Sequence, residues 1–123
     1  MTMRIVLVDD NPDACDTAAK FLRWAGDYEV DIAHDATSAL RLLADHDYVL
    51  AVIDYKLPDM NGIELFRQAK VVRPDLKAIF VTGFPTIDVV FPAIDAGVLR
   101  VLAKPVEFEE LIPVIDEYVF DTT

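Results

Sequence analysis

The stretch RIVLVDDN, from Arg4 to Asn11, is the starting point for predicting the fold of this chain. Arg4–Val8 reads as a continuous, buried β-strand, and two adjacent aspartates, Asp9 and Asp10, follow where the strand leaves the core. A strand ending in a turn needs at most one aspartate, so the second carboxylate needs another explanation. Pro12 then stands where the first turn of a helix accepts a proline, which predicts a strand followed directly by a helix.

The rest of the chain repeats this unit four more times. Apolar residues at helical or strand spacing, with turn and capping residues between them, define the units. The predicted elements after the first strand are a helix from Pro12 ended by Gly26, a strand Tyr28–Ala33, a helix capped by Asp35, a strand Tyr48–Ile53, a helix capped by Asn61, a strand Ala78–Val81, a helix between Phe84 and Ala96 ended by Gly97, a strand Val98–Ala103, and a helix Glu107–Phe120. Strands alternating with helices predict an α/β fold whose parallel sheet is covered on both faces.

Three residue patterns refine this prediction. Glu29 and Asp31 place charges on the second strand, so we expect it at an edge of the sheet. Pro92 falls inside the fourth helix and Pro113 inside the fifth, where a proline removes a hydrogen bond and clashes with the preceding turn. The fourth helix is therefore expected to start late, with Pro92 in its first turn, and the fifth to be kinked.

Size and composition narrow the function. A chain of 123 residues is one ordinary domain, and its net charge of −11 disfavours contact with the phosphate backbones of nucleic acids. The longest uncharged stretch, Ala78–Ile87, is broken by polar and turn residues and falls far below the roughly 18 apolar residues of a membrane span. There is no signal-peptide pattern, and the single cysteine, Cys15, forms no internal disulfide. These features predict a cytoplasmic protein and no membrane partner.

Polar residues stand at the carboxyl ends of four strands, where sites of open parallel sheets form. They are Asp9 and Asp10, Asp54, Thr82, and Lys104. Any one aspartate could simply cap or turn its own loop. Three carboxylates gathered on one rim, however, repel each other and need compensation beyond one lysine. Oxygen ligands without histidine or cysteine suit Mg²⁺, so the second aspartate is explained by a metal.

With these residues in place, the sequence resembles the receiver domain of two-component response regulators along almost its entire length. The resemblance is carried by VLVDDN at Val6–Asn11, VIDYKLPDMNGIEL at Val52–Leu65, VTG at Val81–Gly83, and KP at Lys104–Pro105. It implies a flavodoxin-like, doubly wound (βα)5 fold with five parallel strands in the order 2-1-3-4-5. It also implies one receiver domain over residues 1–123, with no output domain in this chain.

The resemblance assigns a role to each motif residue. Asp54 would accept the phosphoryl group, and Lys104 would pair with its oxygens. Thr82 would hydrogen-bond the phosphoryl group and report its presence, and the Lys104–Pro105 peptide bond would be cis. The protein ligands of Mg²⁺ would be Asp9, Asp10, Asp54 and the backbone carbonyl of Lys56.

The same resemblance implies a phosphorylation-activated switch in a phosphorelay. Its partners would be a histidine kinase or phosphotransfer protein, and a homodimer or output domain would use the face of the fourth helix, fifth strand and fifth helix. The protein would catalyse only its own phosphoryl transfer and dephosphorylation. Two other classes are weighed: a degenerate receiver that binds partners without phosphorylation, and an enzyme acting on phosphorylated small molecules. The related hydrolases need an acid two residues after the nucleophile, where Lys56 stands.

Several residues depart from the family pattern or stay outside the rim. Val101 stands where the family commonly carries a phenylalanine or tyrosine that moves with the threonine. Phe84 could shield the phosphoryl group or merely cover core. His34 and His46 are interpreted as surface residues away from the acidic rim, and Trp24 as core or helix-end cover.

Overall fold

The computed structural model describes residues 3–26 and 28–119, apart from the side chain of Phe108. Five strands alternate with five helices along this part of the chain. The elements are β1 (Met3–Val8), α1 (Pro12–Ala25), β2 (Tyr28–Ala33), α2 (Ala36–Asp45), β3 (Leu50–Asp54), α3 (Gly62–Val72), β4 (Ala78–Thr82), α4 (Ile87–Ala96), β5 (Arg100–Ala103) and α5 (Phe108–Val119).

The five strands form one parallel sheet in the order β2-β1-β3-β4-β5, as predicted. β2 is an edge strand, which explains why it tolerates the charged Glu29 and Asp31. The strand order reverses between β1 and β3, and Val8 lies opposite Ile53 there. This register brings the residues that follow β1 level with the end of β3.

Helices cover both faces of the sheet and divide the core in two. One cluster packs the sheet against α2, α3 and α4, with Phe66 and Phe80 meeting edge to face at 6.3 Å between ring centroids. The other packs the opposite face against α1 and α5, around Leu22 and Ile115. The strands β1 and β3 are buried on both faces, so their continuous apolar sequences are what a central parallel strand requires.

Asparagine and aspartate side chains fix where the first three helices begin. Asn11 accepts hydrogen bonds from the backbone N–H groups of Asp13 and Ala14, and Asn61 accepts one from Glu64. Asp35 does the same for Ser38 at the start of α2. Each side chain satisfies a backbone donor that has no partner within its helix. The helix starts therefore follow directly from the sequence, and with them the loops that surround the carboxyl ends of the strands.

The prediction that α4 starts late was wrong. The helix begins at Ile87, and Pro92 lies inside it. Two backbone N–H groups, those of Val89 and Val90, donate to the Thr86 carbonyl and build the first turn without Pro92. Pro92 and Asp88, whose carbonyl Pro92 leaves without a helical donor, are both exposed residues. Pro113 likewise lies inside α5, and the predicted end of that helix at Phe120 falls outside the described residues.

The fourth helix ends where the sequence predicts. Gly97 adopts a left-handed conformation with φ of +105°, which a side chain would disfavour, and its N–H bonds the Ala93 and Ile94 carbonyls. The chain can then turn back into β5. Of all the helices described in residues 3–26 and 28–119, none is both long enough and apolar enough to cross a membrane.

The structure decides between the two interpretations of Trp24 and corrects the position predicted for His34. Trp24 is 81% exposed at the end of α1, stacked at a tilt on Phe21, so it does not fill the core. His34 and His46 are both exposed, as predicted. His34 nevertheless lies beside the acidic rim, because its Nδ1 is 3.0 Å from the Asp9 carbonyl oxygen. The β2–α2 junction thus reaches the rim, which the sequence did not indicate.

Candidate functional site

The sheet gathers the predicted polar residues at one end. Asp54 is the last residue of β3 and lies opposite Val81, and Thr82 lies opposite Ala103, so that Lys104 follows directly. Parallel strands place their carboxyl ends at a common edge, which explains why residues distant in sequence converge. Asp54 and Thr82 are buried at this rim, Asp9 is half-buried, and Asp10 and Lys104 are exposed.

Asp54 is the most deeply placed acid of the site. It is 6% exposed, and its Oδ2 accepts a hydrogen bond of 2.7 Å from the ammonium of Lys104. Its Oδ1 is 3.3 Å from the backbone nitrogen of Lys56. A buried carboxylate needs such partners, since burying an unpaired charge is costly. These two contacts fix the orientation of the Asp54 carboxylate at the end of β3.

Lys104 bridges two of the acids. Its Nζ lies 3.7 Å from Oδ2 of Asp9 in addition to the shorter contact with Asp54. Burial alone would lower the pKa of Lys104, but the hydrogen bond and charge of Asp54, with the charges of Asp9 and Asp10, raise it above its ordinary value. The ammonium therefore stays protonated at neutral pH and supplies a positive charge that contacts both Asp9 and Asp54.

Three carboxylates offer oxygen atoms that all lie within 4.8 Å of one another: Asp9, Asp10 and Asp54. Burial raises the pKa of Asp9, and the charges of Asp54 and Asp10 add to this against the opposing effects of the Asn11 amide and Lys104. The set contains only hard oxygen donors, one exposed, one half-buried and one buried. Mg²⁺ binds through one or two carboxylates and keeps several waters, so this arrangement fits it.

The β3–α3 loop runs beside these acids. Lys56 forms an isolated bridge with Asn61, and the Gly62 N–H donates to the Tyr55 carbonyl at 2.6 Å. A Cβ on Gly62 would lie 3.1 Å from the Tyr55 Cα, so glycine permits this close approach. The loop is thereby closed on itself, and its first residues, which include the predicted carbonyl ligand Lys56, are fixed next to Asp54.

Thr82 lies on the other side of Asp54. It is 6% exposed, and its Oγ1 accepts a hydrogen bond of 3.2 Å from the Phe84 N–H. Phe84 itself is 80% exposed, so in this structure its ring does not cover core. Val101 is partly buried and packs against the cluster beneath α4. The Lys104–Pro105 peptide bond is cis, as the resemblance implied.

A cleft of about 630 Å³ opens beside the acids, between α1 and the start of α5. Its walls are mostly apolar and include the small side chains of Ala14 and Ala18 on α1 together with Val106 and Leu111. Cys15 lies in the same wall, and burial raises its pKa to about 11, so it is a thiol and not a thiolate.

Sequence reasoning missed one contact around the site. Asp59, in the β3–α3 loop, accepts hydrogen bonds from the backbone of Ala36 and Thr37 at the start of α2. These bonds lower the pKa of Asp59, with that from Ala36 contributing most. The only signal in the sequence is an acid between Pro58 and Met60 in the loop, and an isolated turn acid indicates no partner.

Comparison with known proteins identifies the class. The model of the response regulator receiver domain matches residues 5–116. The chain is 36% identical over 115 residues to the response regulator receiver protein CpdR of Brucella abortus, covering 93% of this chain and 94% of that protein. It covers only 24% and 48% of the length of two other curated relatives. The chain therefore belongs to the response regulator receiver family and is a receiver domain of two-component signalling.

Solved structures agree with this assignment. A CheY-like receiver domain protein from Methanospirillum hungatei JF-1 superposes with a TM-score of 0.93 at 35% identity, covering 98% of this chain and 96% of that one. A response regulator from Burkholderia pseudomallei superposes with a TM-score of 0.83 at 25% identity, covering 98% of this chain and 75% of that one. The latter structure contains a phosphorylated aspartic acid, a calcium ion and citrate.

Proposed function

We propose that this receiver domain is a phosphorylation-activated switch whose phosphoacceptor is Asp54. The observation that carries the proposal is the pairing of a buried carboxylate with a lysine at 2.7 Å, next to two further acids. A carboxylate oxygen of Asp54 attacks phosphorus, and the bond from phosphorus to the donor's nitrogen or oxygen breaks. The related Burkholderia pseudomallei protein, with its phosphorylated aspartic acid, supports this chemistry.

The other rim residues have distinct tasks in this transfer. Asp9, Asp10, Asp54 and the Lys56 carbonyl would hold Mg²⁺, which neutralises phosphoryl oxygens when bound. Lys104 moves its ammonium from Asp54 to a phosphoryl oxygen. Thr82 supplies a hydroxyl donor from the opposite side. The chain thus provides positioning and charge neutralisation, which phosphoryl transfer mostly requires.

The phosphodonor is a histidine kinase or a phosphotransfer protein in this proposal. The apolar cleft beside Asp54 supports it, because a protein donor must desolvate the site and bury surface near the nucleophile. Residues 1–123 would act as one receiver domain that relays phosphorylation by conformational change. The output surface would lie on α4, as the next observation indicates.

A stripe of exposed apolar side chains begins in the loop before α4 and continues along one side of that helix. Phe84, Ile87, Phe91 and Ile94 are 80%, 69%, 67% and 48% exposed, while Ala93 on the same helix is buried. Contiguous exposed apolar side chains are typical of a surface that a partner covers, so this stripe favours an output partner or a second copy of the chain. The stripe starts at Phe84, two residues after Thr82, which connects it with the site.

Phosphorylation of Asp54 is tested with acetyl phosphate and Mg²⁺. We expect intact-mass analysis to show one added phosphoryl group on the native chain and none on Asp54→Asn, which keeps the shape of the side chain. Asp16→Asn, an acid on α1 outside the rim, is the matched control and should be labelled like the native chain. Full labelling of Asp54→Asn would place the acceptor elsewhere. No labelling of the native chain would favour the phosphorylation-independent binding module.

A further inference from the structure

The β3–α3 loop is attached to a helix from another part of the fold. Oδ1 of Asp59 accepts a hydrogen bond of 2.9 Å from the Ala36 N–H, and Oδ2 accepts from the N–H and hydroxyl of Thr37 at 3.0 and 2.9 Å. Asp59 is 23 residues from Ala36 in sequence and exposed to solvent. Its carboxylate therefore closes a connection between the loop and the N-terminus of α2.

The connection is not needed to start the helix. Asp35 already caps α2 from its own segment, with Oδ1 accepting from the Ser38 N–H at 2.7 Å. Asp59 fills the remaining N-terminal donors and places a negative charge at the positive end of the helix dipole. The carboxylates of Asp35 and Asp59 thus both accept hydrogen bonds from the first turn of α2. Only Asp59 is on the loop that borders Asp54.

The same junction also holds the loop after β1. The Ala33 carbonyl accepts a hydrogen bond of 3.0 Å from the Asp9 N–H, and His34 Nδ1 is 3.0 Å from the Asp9 carbonyl oxygen. The segment Ala33–Thr37 therefore contacts both the loop that carries Asp9 and Asp10 and the loop that follows Asp54. On one side it touches the backbone of Asp9, and on the other it touches Asp59.

We propose that Asp59 is a positioning residue for the metal site. Through the N-terminus of α2, it holds the Lys56 carbonyl in register with the carboxylates of Asp9 and Asp10. This inference rests on the proposed function, in which that carbonyl is a ligand. Mg²⁺ demands near-ideal octahedral geometry, so a loop that drifts even slightly offers its carbonyl in a poorer position.

In this proposal Asp59 acts only by holding the β3–α3 loop in place, and it contacts neither the metal nor the phosphoryl group. Lys56 and Asp59 lie on one closed loop whose base is bridged between Lys56 and Asn61. Because the loop between the two bridge residues is short, a fixed Asp59 limits rotation of its peptide groups, including that of Lys56. Three hydrogen bonds to a charged acceptor make this fixing stronger than a neutral contact would.

The test compares Asp59→Ala with Asp35→Ala. Both variants remove carboxylate contacts at the start of α2, but only Asp59→Ala releases the loop. Calorimetric titration with magnesium chloride should show affinity at least about fivefold weaker in Asp59→Ala and within twofold of native in Asp35→Ala. Urea unfolding without metal should show that both variants lose stability. Asp59→Asn keeps one acceptor oxygen, should fall between, and carries the comparison if Asp59→Ala does not fold.

Phosphorylation separates this inference from the function on which it rests. Asp59→Ala should be labelled slowly by acetyl phosphate at low Mg²⁺ and at a near-native rate once Mg²⁺ is saturating. Equal Mg²⁺ affinity in Asp59→Ala and the native chain overturns the positioning role alone, as does an equal loss in Asp35→Ala. A native chain that neither binds Mg²⁺ nor becomes labelled overturns the proposed function itself.

Discussion

Replacing Asp9 by asparagine should stabilise the metal-free protein at neutral pH. Asp9 is half-buried, and its carboxylate shares the rim with those of Asp10 and Asp54. An asparagine of the same shape keeps an oxygen that can accept the 3.0 Å hydrogen bond from the Asn11 N–H. The substitution therefore removes a charge and little else.

The magnitude follows from the distances. At an effective dielectric near 20, two carboxylates within 4.8 Å repel each other by at least about 3.5 kcal/mol, and Asp9 has two such neighbours. Its attraction to Lys104 at 3.7 Å is worth about 4.5 kcal/mol on the same scale. The difference of about 2.5 kcal/mol favours removing the charge. Solvent screening at the exposed side of the rim reduces the expected gain to about 1–2 kcal/mol.

The gain should depend on pH with a definite sign. Burial raises the pKa of Asp9 in the folded state above its unfolded value, so the folded state binds the proton more tightly. Stability from this group is fully present below the unfolded pKa and is lost as pH rises through the folded pKa. The asparagine variant does not suffer this loss. Its advantage should therefore vanish in acid and reach its full size above the folded pKa of Asp9.

Unfolding in EDTA measures the effect. We expect the variant to melt about 3–10 °C above the native chain at pH 7. Adding Mg²⁺ should stabilise the native chain and remove the advantage, since the metal compensates the same repulsion. Asp13→Asn, an acid in the first turn of α1, is the control and should be neutral or slightly destabilising. An Asp9→Asn variant that is less stable than native at pH 7, or whose difference does not change with pH, refutes the reasoning.

Two further predictions concern the metal and the switch. Millimolar Mg²⁺ should raise the melting temperature of the native chain by mass action but not that of Asp10→Ala, and an equal shift in both would place the metal elsewhere. Beryllofluoride, a mimic of the acyl phosphate, should change hydrogen exchange most between Gly83 and Ala96. The change should shrink in Thr82→Ala because the hydroxyl is the proposed sensor. Unchanged exchange in that segment, with a response on another face, would contradict it.

Local patterns in the sequence predicted the alternating α/β fold and the positions of the rim residues, and the resemblance to the receiver family added the strand order. An apolar strand that ends in a polar residue, as β3 does at Asp54, indicates the carboxyl edge of the sheet, where functional sites form. This inference does not depend on how the side chains of the core pack. The pairing of Val8 with Ile53 in neighbouring parallel strands then brings Asp9 level with Asp54. The charges on β2 were sufficient to place it at the sheet edge, since a charged residue on a central strand would be buried without compensation.

What the sequence did not predict depends on contacts across the fold. Pro92 breaks a helix by rule, but its cost depends on whether the freed Asp88 carbonyl can reach water, which only the position of α4 decides. Trp24 is a large apolar residue of the kind usually found in a core, yet its side chain is exposed at the end of α1. The bonds from Asp59 to α2 join residues 23 positions apart, and no local pattern marks such a pair.

With valine at position 101, we expect the proposed switch to connect the site with the proposed output surface through Thr82 and Phe84. The Phe84 N–H donates to Oγ1 of Thr82 at 3.2 Å, so the hydroxyl that would turn toward a phosphoryl group also holds the first residue of the apolar stripe on α4. Turning the hydroxyl inward weakens that bond and frees the backbone at Phe84. Val101 packs against the core beneath α4 and does not lie on this path. Val101→Ala should therefore leave the beryllofluoride response of Gly83–Ala96 in place, whereas Thr82→Ala should diminish it.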